Sequence, residues 1–205
     1  MLNPRAKLAS RGFTLIEMVV TMGIFAALVA LAVPTMRTWI ANTKVRAASD
    51  AMQNGLRLAQ SESLRLSRQV VFELTNNTAA PFTAVANGSY WAIYTIPSMT
   101  DGTEPSALVD SGVLAAVGSN VAITGPAAIC FNSVGRLVAN GSPNVTAITG
   151  GPSCTLPTAT PAVWPYDVKM TGAADRPLQV QMTLGGQVHM CDPSKALSST
   201  NPDGC

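Results

Sequence analysis

A single carboxylate, Glu17, stands inside an apolar run that carries no other charge before Arg37. An ionised group at the centre of a membrane helix costs about 2.5–3.5 kcal/mol, so a charge in such a place marks function. A short leader with Arg5, Lys7 and Arg11 precedes it, ends at Gly12 and gives way at once to Phe13, four residues before the acid. The next chemistry-bearing set is Cys130, Cys154, Cys191 and Cys205. An even number of cysteines downstream of a targeting segment points to disulfides in an oxidising compartment. Three pairings are possible. The sequential one, Cys130–Cys154 with Cys191–Cys205, is expected because each bond closes a Pro/Gly/Ser-rich loop that has no other staple; one pair staying free is the alternative. No C-x-x-C occurs and His189-x-Cys191 is the one local ligand pair, so no metal is expected. His189 is the one histidine, on an expected strand. With no G-x-S-x-G, H-E-x-x-H, P-loop or dinucleotide fingerprint, the chain reads as non-enzymatic and without cofactor.

These residues need elements to position them. The chain has 205 residues, enough for one membrane segment and one modest domain. It holds five Phe, three Trp and three Tyr, so its core must rely on Ala, Val, Leu and Ile. The formal charge of +2 misleads, because three of the thirteen basic residues precede Phe13. From Leu74 onward four basic residues (Arg136, Lys169, Arg176, Lys195) face seven acidic ones, or −3. A broad basic surface for nucleic acid is therefore absent from the C-terminal part.

From Met18 to Val33 nearly every residue is apolar, and with Phe13–Glu17 the segment reaches the length of about twenty residues that spans a bilayer. The basic leader places its N-terminal end on the cytoplasmic side and the remainder in the periplasm. A cleaved secretory signal with Ala30-Leu31-Ala32 as its site is the first competing reading. Glu17 and a helical pattern that continues past that site argue against it. A plain signal anchor explains the length, but neither the Gly-Phe junction nor the carboxylate. Beyond Pro34 the pattern turns amphipathic: Val45, Ala48, Met52, Leu56, Ala59, Ser63, Leu66 and Val70 share one helical face. One helix from Phe13 to Arg68 is expected, kinked at Pro34, where a backbone hydrogen bond is lost.

The C-terminal two thirds is rich in Gly, Pro, Ser, Thr and Asn, as short strands joined by turns require. Strands are expected at Gln69–Leu74, Tyr90–Ile96, Leu108–Leu114, Asn120–Thr124, Ala128–Phe131 with Arg136–Val138, and Ala162–Met170. Leu178–Leu184 and Gln187–Cys191 form an expected hairpin about Gly185-Gly186, a pair that tolerates positive φ. Ser142–Pro161 reads as a long loop held by Cys154.

The stretch Arg11-Gly12-Phe13-Thr14-Leu15-Ile16-Glu17-Met18 resembles the class III signal of type IV prepilins and type II secretion pseudopilins, a likeness that runs to Arg37 and includes Pro34. The resemblance implies that a prepilin peptidase cuts between Gly12 and Phe13 and methylates the new amine of Phe13. It also implies that Glu17 meets the N-terminal amine of a neighbouring subunit as the filament forms. Such pairing relieves the cost of a lone charge in lipid and sets axial register. The helix text Ala47–Arg68, the segment Cys130–Arg136 and the closing hairpin Gly185–Pro193 are similar to the GspH/FimT family of minor pilins and pseudopilins.

The implied fold is α+β, the type IV pilin fold: a long N-terminal helix, transmembrane and then amphipathic, packed on an antiparallel β-rich head. The implied units are a leader (1–12), a transmembrane half-helix (13–34), an amphipathic half-helix (35–68) and a head with disulfide loops (69–205). The implied function is a minor pilin that primes or caps a pilus. The alternatives are pseudopilin H of a type II secretion system and a DNA-uptake pilin. Implied partners are the prepilin peptidase, other major and minor pilins or pseudopilins, the inner-membrane assembly platform and inner-membrane lipid. The implied location is the inner membrane of a Gram-negative bacterium, single-pass with a periplasmic head, and then the pilus or pseudopilus. One branch of the family binds DNA through a G-R-x-R motif. The matching residues here, Gly186-Gln187-Val188-His189, lack both arginines; Lys169, Arg176 and Lys195, if they lie close together, are the candidates for weak DNA contacts.

Overall fold

The computed structural model describes residues 12–98, 104–114, 120–141, 148–149, 153–170 and 176–205. They fall into two compact units, one ending at Thr38 and the other beginning at Trp39. The elements are α1 (Leu15–Leu66), β1 (Val70–Thr75), β2 (Phe82–Thr83), β3 (Tyr90–Thr95), β4 (Leu108–Val113), β5 (Val121–Thr124), β6 (Ala128–Phe131), β7 (Leu137–Val138), β8 (Ile148–Thr149), β9 (Val163–Met170), β10 (Leu178–Thr183) and β11 (Val188–Cys191).

In the first unit every described residue up to Arg37 is exposed, although the stretch is long and apolar enough to cross a bilayer. Helix α1 runs uninterrupted through Pro34. Hydroxyls supply hydrogen bonds beside the proline: Thr35 Oγ1 donates to the Ala32 carbonyl at 2.9 Å and Thr38 Oγ1 to the Pro34 carbonyl at 3.3 Å.

In the second unit α1 buries Ala41, Val45, Ala48, Met52, Leu56, Ala59 and Ser63. Those positions follow the apolar stripe, with two corrections at its end. Leu66 is half-buried, and Val70 belongs to β1, not to the helix. The helix stops because Ser67 adopts φ 53°, while its amide donates to the Leu64 carbonyl and the Arg68 amide to the Ser63 carbonyl. That pair of bonds is a Schellman cap with serine in the left-handed position that glycine usually takes. Gly55 and Ser49 are also buried on this face. A Cβ at Gly55 would lie 3.0 Å from the Phe72 ring and 3.2 Å from the Trp91 indole. Glycine here lets the Phe72–Trp91 stack, with centroids 6.0 Å apart, press against the helix backbone.

The head contains a five-stranded antiparallel sheet ordered β4-β3-β1-β6-β7 and a four-stranded antiparallel sheet ordered β11-β10-β9-β5. Helix residues pack with Phe72, Leu74, Ile93 and Ile129 of the first sheet and with Tyr166, Val168, Val180 and Met182 of the second in one apolar core. In β1, Val70, Phe72 and Leu74 alternate toward this core. The opposite face is covered as well. Val71, Phe82, Ala92, Tyr94, Ile96, Ala128, Cys130 and Cys154 form a second apolar cluster there, so β1 is buried along its whole length.

The sheets depart from expectation in two places. Phe82–Thr83 pairs in parallel with Ile148–Thr149, inside the stretch expected to be a loop. Two-residue strands have no period by which a sequence could reveal them. The rest of that stretch before Ser153, apart from 148–149, lies outside the described residues. The closing hairpin is wider than a two-residue turn. Strand β10 ends at Thr183, whose carbonyl accepts from the Gly186 amide at 2.9 Å, and only Gly186 of the glycine pair has positive φ, at 89°. The Leu184 carbonyl accepts instead from the Leu137 amide at 3.1 Å, tying the hairpin to β7.

Candidate functional site

At the head of α1, Thr14 and Glu17 form a capping box. The Thr14 amide and Oγ1 each donate to Glu17 Oε2 at 2.9 Å, and the Glu17 amide donates back to Thr14 Oγ1 at 3.3 Å. The hydroxyl satisfies an orphan helix N–H while the carboxylate satisfies the amide of the cap. Glu17 is therefore held within its own first turn. Gly12 and Phe13 precede the helix and are exposed, and a Cβ at Gly12 would meet nothing within 4 Å. The Gly12–Phe13 bond therefore lies exposed and outside the helix.

Both disulfides join sequential cysteines: Cys130–Cys154 with Cα atoms 5.6 Å apart and Cys191–Cys205 with Cα atoms 5.2 Å apart. The first belongs to the second apolar cluster, behind β6. The second closes the C-terminal tail, which is also bridged where Asp192 pairs with Gly204. Lys195 Nζ lies 2.6 Å from Asp203 Oδ2 and 3.6 Å from Asp192 Oδ2. The hydrogen bond to Asp203 raises the lysine, and the same bond lowers Asp203. Ser194 chiefly lowers Asp192, through its side chain and its amide.

The ladder register places Lys169, Arg176 and Lys195 toward one end of the four-stranded sheet: Leu178 pairs with Val168, and Cys191 pairs with Gln179. Lys169 and Arg176 are exposed there. Lys195 differs from them, because two carboxylates neutralise it locally. His189 is exposed on β11, opposite Gln181. Among the described residues no group of three or more His, Cys, Asp or Glu side chains is placed to hold a metal.

A second acid went unnoticed in the sequence. Glu73 on β1 is fully buried between Ala92 of β3 and Ala128 of β6, and neither carboxylate oxygen has a hydrogen-bond partner among the described residues. Burial pushes its carboxyl up to about 8. The hydroxyl of Tyr94, on the same sheet face, is also buried and has no hydrogen-bond partner among the described residues, and it is raised by desolvation first and by Glu73 second. The available signal was a lone charge between apolar strand residues, Phe72-Glu73-Leu74. In a strand the position between Phe72 and Leu74 points to the opposite face, and the sequence does not reveal what covers that face.

Two turns and the helix meet at one joint. Gln60 Nε2 donates to the Gly135 carbonyl at 3.0 Å, and Gly135, at φ 74°, ends the turn that Asn132 Oδ1 caps by accepting from Val134 and Arg136. A Cβ on Gly186 would sit 2.1 Å from the Gly135 carbonyl oxygen. Arg57 Nη2 donates to the Val188 carbonyl at 3.3 Å. The segments around Cys130–Arg136 and Gly185–Pro193 are thus turns fitted to α1, which gives Gly186 a packing role.

Comparison with known proteins agrees with this division. A model described as a prokaryotic N-terminal methylation motif matches residues 7–33. A model described as type II transport protein GspH matches residues 48–186. Among curated proteins none matches. Two crystal forms of the type IV minor pilin FimU from Pseudomonas aeruginosa PAO1 align structurally. One has 14% identity and a TM-score of 0.46 over 74% of this chain and 95% of that one. The other has 13% identity and a TM-score of 0.48 over 75% and 92%. With the methylation motif on the exposed apolar half of α1 and the family match across the head, the chain belongs to the GspH family of type IV pilin-like proteins.

Proposed function

We propose that the protein is a minor type IV pilin, a non-enzymatic subunit that helps prime or cap a pilus. The observation that carries this reading is the division of α1: its first half exposes an apolar face around one carboxylate, and its second half is the spine of a disulfide-stapled head. In this reading the leader 1–12 is removed between Gly12 and Phe13 by the prepilin peptidase, and Phe13 is N-methylated. Residues 13–34 hold the chain in the inner membrane with the head in the periplasm, and Pro34 is a point of flexure as the helix is drawn into a filament. Glu17 exchanges its bonds to Thr14 for the N-terminal amine of a neighbouring pilin, at the assembly platform.

A second reading, a pseudopilin of a type II secretion machine, is favoured by the description of the family that spans residues 48–186. The test is to count surface pili on a clean deletion strain with and without complementation. Lost or scarce pili support the priming role. Normal pili with lost exoprotein export select the secretion role. DNA uptake ranks below both, because Lys195 is engaged by Asp203 and Asp192 and both motif arginines are absent.

A further inference from the structure

We infer that Trp39 docks in the headgroup layer of the membrane on the periplasmic side and sets the depth at which the chain is held before assembly. The inference rests on the membrane-anchored reading given above and names the residue that fixes its position.

Three observations lead to it. Trp39 is 67% exposed, while Trp91 is buried and Trp164 half-buried. Its neighbours Met36 and Ile40 are 57% and 45% exposed, whereas Ala41, where burial against the head begins, is 1% exposed. The large apolar side chains at 36, 39 and 40 therefore lie in the short stretch between the apolar run that ends at Val33 and the first head-covered residue. A soluble helix gains nothing by presenting an indole to water, and the pairing of Glu17 with a neighbour's amine does not use this position.

The spacing supplies the occupant. At 1.5 Å per residue, the twenty-four steps from Leu15 to Trp39 span about 36 Å of helix. The hydrocarbon core is about 30 Å thick, and the bilayer with its headgroup regions about 40–45 Å. With Phe13 at the cytoplasmic boundary, residues to about Val33 fill the hydrocarbon, and Trp39 falls in the far interfacial layer. Indole suits that layer, with an apolar ring beside the acyl boundary and an N–H for lipid oxygens. Arg37, the first cation after the apolar run, lies two residues earlier and complements lipid phosphate. Continuity with the apolar span and the adjacent positive charge thus point to a phospholipid surface.

The test uses the full chain in vesicles of phosphatidylethanolamine and phosphatidylglycerol. Spin-labelled lipids carry the quencher at the headgroup, the upper acyl chain or the lower acyl chain. Trp39→Phe identifies the Trp39 part of the emission, and near-UV circular dichroism confirms that this variant keeps the head folded. We expect the part lost in Trp39→Phe to be blue-shifted on vesicle binding. It should lose most of its intensity to headgroup and upper-chain labels and little to the lower-chain label. If the chain floats with the vesicles while this emission is unquenched by every label, the indole faces water or a neighbouring subunit and the inference is overturned. Strongest quenching by the lower-chain label overturns it too, by placing Trp39 in the hydrocarbon. A chain that does not float overturns the membrane-anchored reading itself, and the inference with it.

Discussion

Two carboxylates stand in apolar surroundings in this molecule, one at the start of α1 and one in the head. Glu17 is held by two donors from Thr14, within one helical turn. Glu73 is sealed inside the five-stranded sheet's second face with both oxygens unpartnered among the described residues. The first acid keeps hydrogen bonds that another donor can replace, which suits a group that changes partners during assembly. The second has nothing to exchange and responds to its surroundings by holding a proton. In the proposed reading the same kind of side chain serves association in one region and carries a pH-dependent burden in the other.

The largest expected effect breaks the first half of this comparison. Glu17→Ala should still be cleaved after Gly12, but its share of sheared filaments should fall about tenfold or more. A neighbour's ammonium would be left in lipid without its partner, where a charge costs about 2.5–3.5 kcal/mol. Immunoblots of filament and membrane fractions measure this, and incorporation equal to wild type would remove Glu17 from assembly.

The next sharpens the second half. The Glu73 carboxyl is raised from an ordinary 4.5 to about 8, so the folded chain holds a proton that the unfolded chain releases. Stability is therefore highest below the ordinary value and falls as pH rises toward about 8, beyond which it levels off. Every tenfold difference in proton affinity between the folded and unfolded chain corresponds to about 1.4 kcal/mol. Glu73→Gln keeps the shape without the ionisation. It should raise the melting temperature clearly at about pH 9 and little at about pH 5. Parallel melting curves at all pH values would show that Glu73 does not titrate as a buried acid.

The tail comes third. Cys205→Ala opens a loop whose closure is worth about 3 kcal/mol for fifteen residues. Proteolysis should then start in the C-terminal tail while the sheets stay intact, and an unchanged cleavage pattern would give the bond no stabilising part. The smallest effect belongs to the end of α1. Ser67 sits in the left-handed region, which costs a side-chain-bearing residue roughly 1–2 kcal/mol. Ser67→Gly should raise the free energy of unfolding by up to about that amount, measured by chemical denaturation, and a loss of stability would mean that the serine side chain contributes to the cap.

Much of the fold was legible because its signals are local. The strands at Tyr90–Thr95, Leu108–Val113, Val121–Thr124 and Val163–Met170 lie within the segments expected to be strands. The buried stripe of α1 follows its helical spacing from Val45 to Ser63. The wider turn at Gly186, the parallel Phe82–Thr83 ladder and the burial of both faces of β1 escaped, because each depends on a segment distant in sequence. Of the site residues, Glu17 was conspicuous and Glu73 was not.

The sequence by itself determined where the apolar anchor runs, that Glu17 is the one charge within it, and which helix face is apolar. A bilayer-length segment specifies its own solvent, so composition suffices there. Only the tertiary structure decided that Glu73 is buried, that Lys195 is neutralised by Asp203 and Asp192, and that Gly135 and Gly186 meet against Gln60. The reason is physical: a strand residue or a tail cation takes its dielectric and its partners from whatever else folds against it. Those neighbours are set by long-range packing and do not appear in the residue's own stretch of chain.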